Sequence, residues 1–302
     1  MRKTFIESLV FEAKNNSNIW LLCADLGFSI LEPFISNFPE RFINVGIAEQ
    51  NMIGIASGLA LSGKKVFVYS IANFVTFRCL EQIRNDICYH NLDITIIGVG
   101  AGYSYGVHGY THHAIEDVSI MNNLPNIKII SPSDTYQTKL SIEYTSKNKG
   151  PFYIRLGNQN QNFTEKKYIE NSIDLPIKIF NGTSLCILFS GNVFDEIKYI
   201  NDRLNDINIF PNVYSIPFIS EIPNNFIDKI ENENNLIITI EDSLKNGGFG
   251  SKILELFNNK KVVKNLGFDH NDINIVMTKE YAMNKFKNNA FDFILSFLSN
   301  KN

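Results

Sequence analysis

The stretch "RFINVGIAEQNMIGIASGLALSGKKVFVYS", residues 41–70, reads as strand, helix, strand. "FINV" (42–45) is a short apolar run that stops at Gly46, and "KVFVYS" (65–70) is a second run of the same kind. Between them Met52, Ile53, Ile55, Ala56, Leu59, Ala60 and Leu61 leave the intervening helix almost no polar side. Such a helix is expected to lie buried rather than on the surface. Gly63 supplies the left-handed residue that commonly closes a helix. Strands joined by a helix pair in parallel, so this segment predicts a parallel sheet covered by helices.

The pattern continues on both sides. "IWLLCA" (19–24) is a strand, 74–89 suits a helix, and "DITIIGVG" (93–100) is a strand entering a glycine-rich loop. A helix near 114–123, the strand "IKIISP" (127–132), a helix from Ser133 and "PFYIRL" (151–156) follow. From 157 to about 183 the chain turns polar ("GNQNQNFTEKK"), as a linker would. A second αβ set then comes: "SLCILFSG" (184–191), a helix, "NVYSIP" (212–217), a helix, "NLIITIED" (235–242), the loop "SLKNGGFGS" (243–251) and a helix. The fold class is therefore α/β, with two doubly wound parallel-sheet domains at 1–160 and 183–302 and a linker at 161–182.

Bulk composition narrows the function classes. A net charge of −3 over 302 residues, with basic residues scattered, argues against nucleic acid or an anionic membrane as partner. No apolar run approaches the roughly 18 residues a membrane helix needs. The start "MRKTFIESLVFEAKNN" is amphipathic and carries Glu7 and Glu12, so a mature cytoplasmic start is expected. Cys23, Cys79, Cys88 and Cys186 have neither metal-ligand nor CxxC spacing and are expected to be reduced, packed thiols.

Ligands of open α/β sheets bind past the carboxyl ends of the strands, and the unusual residues gather there. Glu49, in the first turn of the apolar helix, shares a face with Met52, Ile53, Ala56 and Ala60. It either complements the helix dipole or is a sheltered carboxyl set to exchange a proton with a ring nitrogen. The loop "GVGAGYSYGVHGYTHH" (98–113) holds five glycines with His108, His112 and His113, a concentration of imidazoles suited to bonding a polar substrate. Zinc is the lesser alternative, since no Cys joins the cluster. Ile71, Phe74 and Phe77 recur every three residues, as a core stripe or as a flat wall against an aromatic ring. Arg2 and Arg155 stand alone at the edges of apolar segments and could clamp a phosphate.

Taken in order, "ADLGFS", "RFINVGIAEQNMIGIASGLALSG", "SIANFVTFRCLEQIRND", "GVHGYTHHAIED", "ISPSD" and "YIRLG" resemble the pyrimidine-binding domain of transketolases, which use thiamine diphosphate. "SGNVFDE" and "IEDSLKNGGFGS" resemble the transketolase C-terminal domain, so the likeness spans nearly the whole chain. The resemblance gives Glu49 a role: contact with N1′ of the coenzyme's aminopyrimidine, driving the tautomer change that activates the thiazolium C2. It places Phe74 and Phe77 around that ring, with Ile71 where a third aromatic is frequent. Asp25 and Ser29 fall near cofactor and substrate. His112 matches a sugar contact, and His108 stands where many relatives have Asp. Gly100 corresponds roughly to a lost phosphate-binding His, while Arg2 and Arg155 match phosphate positions.

The family holds diphosphate and metal through a GDG motif, and no GDG occurs in this sequence. The resemblance thus implies the small subunit of a split transketolase. A separate N-terminal subunit would carry the diphosphate and Mg²⁺ (or Ca²⁺), in a heterotetramer built on a homodimer. The implied reaction is that of an aldehyde/ketone transferase, moving a two-carbon ketol unit from a ketose phosphate to an aldose. The alternative within the same cofactor class is a decarboxylating subunit, like deoxyxylulose-phosphate synthase or the β chain of a 2-oxoacid dehydrogenase.

Overall fold

The structure, a computed structural model, describes residues 1–157, 163–164, 172–183, 185–257, 262–272 and 276–299. Its strands are β1 (Ile19–Cys23), β2 (Phe42–Asn44), β3 (Lys65–Ile71), β4 (Ile94–Val99), β5 (Lys128–Ile130), β6 (Phe152–Leu156), β7 (Ile177–Phe180), β8 (Cys186–Ser190), β9 (Asn212–Ser215), β10 (Leu236–Leu244) and β11 (Val262–Phe268). The helices are α1 (Arg2–Asn15), α2 (Glu32–Asn37), α3 (Glu49–Leu61), α4 (Ala72–Phe77), α5 (Leu80–Gln82), α6 (Asp117–Met121), α7 (Thr135–Lys147), α8 (Phe194–Asn205), α9 (Asn224–Glu233), α10 (Phe249–Leu256) and α11 (Lys279–Ser299).

The first six strands form one sheet in the order β2-β1-β3-β4-β6-β5, parallel throughout. Both faces are covered, which is why β4 is buried along its whole length and reads as a continuous apolar run. The second sheet runs β11-β10-β8-β9-β7. Four of its strands are parallel, but β7 pairs antiparallel with β9 and amends the expectation of a wholly parallel sheet. β7 begins inside the 161–182 stretch expected as a linker, much of which lies outside the described residues. The alternation Ile177, Ile179 is too short to mark a strand; the free edge of β9 makes it one.

The two sheets share a core, since one cluster joins Met52, Ile53, Val68 and Ile96 of the first to Leu188, Tyr214 and Ile237 of the second. Backbone bonds stitch the same seam: Ser131 N–H to Pro217 O at 2.7 Å, Ile219 N–H to Ile129 O at 2.9 Å, and Leu244 N–H to Ile115 O at 2.7 Å. That last bond, with the Gly102–Ala114 bridge, takes residues 114–115 out of the helix expected near 114–123.

The helix expected over 74–89 is broken instead. α4 stops at Phe77, α5 is one short turn, and Ile83–Cys88 is π-helical. Side chains help to break it: Thr76 Oγ1 bonds Ala72 O at 2.7 Å and Cys79 Sγ reaches Phe74 O at 3.8 Å. All four cysteines are buried free thiols. No described helix is long and apolar enough to cross a membrane.

Candidate active site

The first sheet reverses its winding between β1 and β3, and crevices of such sheets open at that point. The chain leaves β1 through Asp25 (φ 51°) and Ser29 (φ 62°), two non-glycine residues in the left-handed region within five positions. That conformation carries strain of the sort held at functional sites. Asn44 pins the first turn, accepting from Asp25 N–H at 2.9 Å and Gly46 N–H at 3.0 Å. Gly46, at φ 74°, then lets the chain turn so that Glu49 opens α3 at the crevice.

Glu49 is only 3% exposed, sealed by the apolar body of α3. Its Oε2 accepts a hydrogen bond from Arg78 Nη1 at 2.8 Å. The same guanidinium lies over the Phe74 ring, 4.5 Å from its centroid. Phe74 and Arg78 are one helical turn apart, and the break after α4 leaves Arg78 at the end of that helix. A flat nitrogenous cation thus rests between a buried carboxylate and an aromatic face. Arg78 was not legible as a site residue in the sequence; the (i, i+4) spacing from Phe74 was the only trace. Ile71 and Phe77 are half-buried, and Ile71 packs into the core beneath β3.

The 98–113 loop completes the rim. His112 stands edge-on to Phe74 at 5.2 Å and 5.1 Å from His108, with Tyr105 beside both at 6.0 and 5.8 Å. Partial burial, and then His108 and His113, lower the His112 pKa, so its ring is neutral at pH 7. Thr111 Oγ1 lies 3.0 Å from His112 Nδ1, leaving Nε2 for another partner. His113 differs from its neighbours: it is fully buried, donates from Nε2 to Gly106 O at 2.8 Å and lies tilted against Tyr103, ring centroids 4.3 Å apart. Asn73, also missed in the sequence, anchors the loop to α4 through His113 O at 2.9 Å. Gly100 is obligatory here, since a Cβ on it would fall 2.0 Å from the Tyr105 ring.

The two arginines part company. Arg2 is exposed and reaches the Tyr69 side chain at the carboxyl end of β3, near Tyr105, so it stays on the rim. Arg155, expected at a phosphate, is instead fully buried. Nε and Nη2 fork onto Asp117 at 2.9 and 3.1 Å, Nη2 also donates to Ala114 O at 3.1 Å, and Nη1 donates to Ser131 Oγ at 3.3 Å and to Asp242. Burial alone would lower its pKa, yet Asp117 and Asp242 hold it well above the usual guanidinium range. With its five N–H donors all engaged, nothing remains for a substrate phosphate. Isolated in sequence, Arg155 looked unpartnered because its two carboxylates lie 38 and 87 residues away.

A planar aminopyrimidine fits where the guanidinium sits, having the same needs: a ring face to stack on and a carboxylate to bond. Among the described residues, no group of three or more His, Cys, Asp and Glu converges to hold a metal ion.

The family "Transketolase, pyrimidine binding domain" matches residues 1–163, and "Transketolase, C-terminal domain" matches 178–286. A Methanocaldococcus jannaschii protein named for a transketolase C-terminal section is 34% identical over 273 residues, covering 88% of this chain and 84% of its own. An apulose-4-phosphate transketolase subunit of Actinobacillus succinogenes is 31% identical over 255 residues, covering 83% of this chain and 81% of its own. Among solved structures, "Split gene transketolase, inactive beta4 tetramer" superposes with a TM-score of 0.86 at 27% identity, over 99% of this chain and 97% of that one. The chain belongs to the transketolase family and carries its pyrimidine-binding and C-terminal domains.

Proposed function

We propose that this chain is the small subunit of a split, thiamine-diphosphate-dependent transketolase that moves a two-carbon ketol unit from a ketose phosphate to an aldose. The observation that carries this is Glu49: a buried carboxylate at the start of an apolar helix, bonded by the same guanidinium that lies over the Phe74 ring. When bound, thiamine diphosphate supplies the nucleophilic carbon and the electron sink of the reaction. Glu49 holds the proton at the pyrimidine N1′. Phe74 and Phe77 give that ring its wall, and Ile71 fills the third position. Asp25 positions the cofactor and Ser29 lies on the substrate side. His108 and His112 hydrogen-bond the sugar's oxygens, and the neutral His112 can polarise a carbonyl without adding charge. Arg2 is the remaining candidate for a substrate phosphate.

A separate GDG-bearing chain holds the diphosphate and its Mg²⁺ or Ca²⁺. Phe28, Ile47, Val107 and Tyr110 support this; they are large, exposed side chains on the loops after β1, β2 and β4, around the crevice. Relatives whose names describe one transketolase subunit and a split-gene transketolase also support it. In this reading the assembly is a heterotetramer built on a homodimer, in the cytoplasm.

The test is reconstitution with a GDG-containing chain and assay of ketol transfer from a ketose phosphate. Glu49→Gln should lower kcat by at least about a hundredfold, the scale of general acid–base catalysis, with assembly intact. Turnover within twofold of wild type would refute the assignment. Relatives named 1-deoxy-D-xylulose-5-phosphate synthase, 28–32% identical, make pyruvate the control donor; its use in place of the ketose would move the chain to the decarboxylating class.

A further inference from the structure

We infer that Arg78 is a built-in occupant of the pyrimidine slot, a gate that the coenzyme must displace. The inference rests on the coenzyme reading above and concerns a residue that reading does not use. Three observations carry it. Arg78 makes both contacts a bound aminopyrimidine would make: a hydrogen bond to Glu49 Oε2 at 2.8 Å, and a place over the Phe74 ring with Cζ 4.5 Å from its centroid. Guanidinium is planar, donates N–H bonds to carboxylates and stacks on aromatic faces, so it mimics the ring it excludes. Its side chain is 47% exposed while Glu49 is 3% exposed, so the arginine covers the carboxylate from the solvent side and has a way out.

The arrangement meets a physical need. A carboxylate buried without a partner is costly, and in a subunit lacking coenzyme Glu49 would have none. Arg78 supplies the partner until the slot fills. Only the fraction of molecules with Arg78 swung out can accept the ring, so apparent affinity falls by that fraction. Arg78 needs only to withdraw past the end of α4 into solvent, a side-chain rotation that leaves α3 and the sheet unmoved.

The test uses the reconstituted complex and measures equilibrium binding by calorimetry, not turnover. Arg78→Ala is expected to bind thiamine diphosphate about tenfold tighter than wild type, which corresponds to about 1.4 kcal/mol held in the closed pair. Arg78→Lys keeps the charge but neither the fork nor the stacking plane, and should fall between the two. The thiazole diphosphate fragment, which lacks the pyrimidine, should bind all three proteins within twofold, since Arg78 contests only the pyrimidine slot. Equal or weaker coenzyme binding by Arg78→Ala overturns the gate while leaving the coenzyme reading in place. A parallel gain for the fragment also overturns it, because that would mark a general loosening. Failure of the wild-type complex to bind the coenzyme removes the coenzyme reading and this inference together.

Discussion

Replacing Arg155 with Met should pull the two sheets apart before it unfolds either. The guanidinium joins Asp117, on the first sheet's side of the seam, to Asp242 on β10 of the second. Removing it strands two buried carboxylates. Asp117 retains Tyr153 Oη at 2.6 Å and Val118 N–H at 2.9 Å, whereas Asp242 is left with Asn192 N–H at 3.3 Å. Breaking a buried ion pair from one side costs about 3–5 kcal/mol. The bonds to Ser131 Oγ and Ala114 O add about 1 kcal/mol each. Met keeps much of the aliphatic packing, so no packing term is added and the loss should be about 5–7 kcal/mol, a large share of a typical domain's stability. Trp20, the single tryptophan, sits on β1 and reports locally on the first sheet and the core beneath it, while far-ultraviolet circular dichroism reports both sheets. In urea the wild-type transitions by the two probes should coincide, and those of Arg155→Met should separate and move to lower urea. Arg155→Lys should fall between, because an ammonium cannot bridge both carboxylates as a fork. A variant within about 1 kcal/mol of wild type, with coincident transitions, would refute the clasp.

Three further outcomes follow from single sites. Burial first, and then the nearby Asp195, raises the Glu196 pKa to about 7 against an ordinary 4.5, and no described residue bonds its Oε2. Because the folded pKa is the higher, this group's contribution to stability is full below about pH 4.5 and is lost as pH rises through about 7. Glu196→Gln should therefore come close to wild type near pH 4.5 and exceed it by about 3 kcal/mol at pH 8 in urea titrations. Gly100→Ala places a Cβ against the Tyr105 ring at φ 89°, so it should displace the histidine loop. Its signature would be a raised KM for the donor of the proposed reaction and about 1–3 kcal/mol lost stability, and unchanged kinetics would contradict the tight loop. The four thiols are buried, with Cys79 and Cys88 pushed up to about 12 by burial. Native protein should resist a thiol-specific reagent that labels all four in denaturant.

Much of this protein was legible in its sequence because periodicity and residue type are local properties. The apolar helix after Gly46, the runs at β1, β3, β4, β8 and β10, and Glu49 in the first turn of α3 all needed only neighbours within one or two turns. Edges and breaks were harder. β7 exists because β9 has a free side, and β11, with Lys264 and Asn265 at its centre, is a strand because β10 pairs with it. The break after Phe77 depends on side chains competing for carbonyls.

The candidate site divides along the same line. The candidates followed from their residue types: a lone carboxylate on an apolar face, three imidazoles in a glycine-rich loop, aromatics in a stripe. What each one does was decided by partners distant in the chain. Arg155 and Arg78 are the same residue type, yet one is locked between Asp117 and Asp242 and the other rests on Glu49 and Phe74. His112 and His113 are adjacent, and the fold turns the first toward the crevice and buries the second. A sequence fixes hydrophobic period and functional groups one at a time, whereas an ion pair or a stacked ring is a relation in space, and only the folded chain brings its two halves within reach.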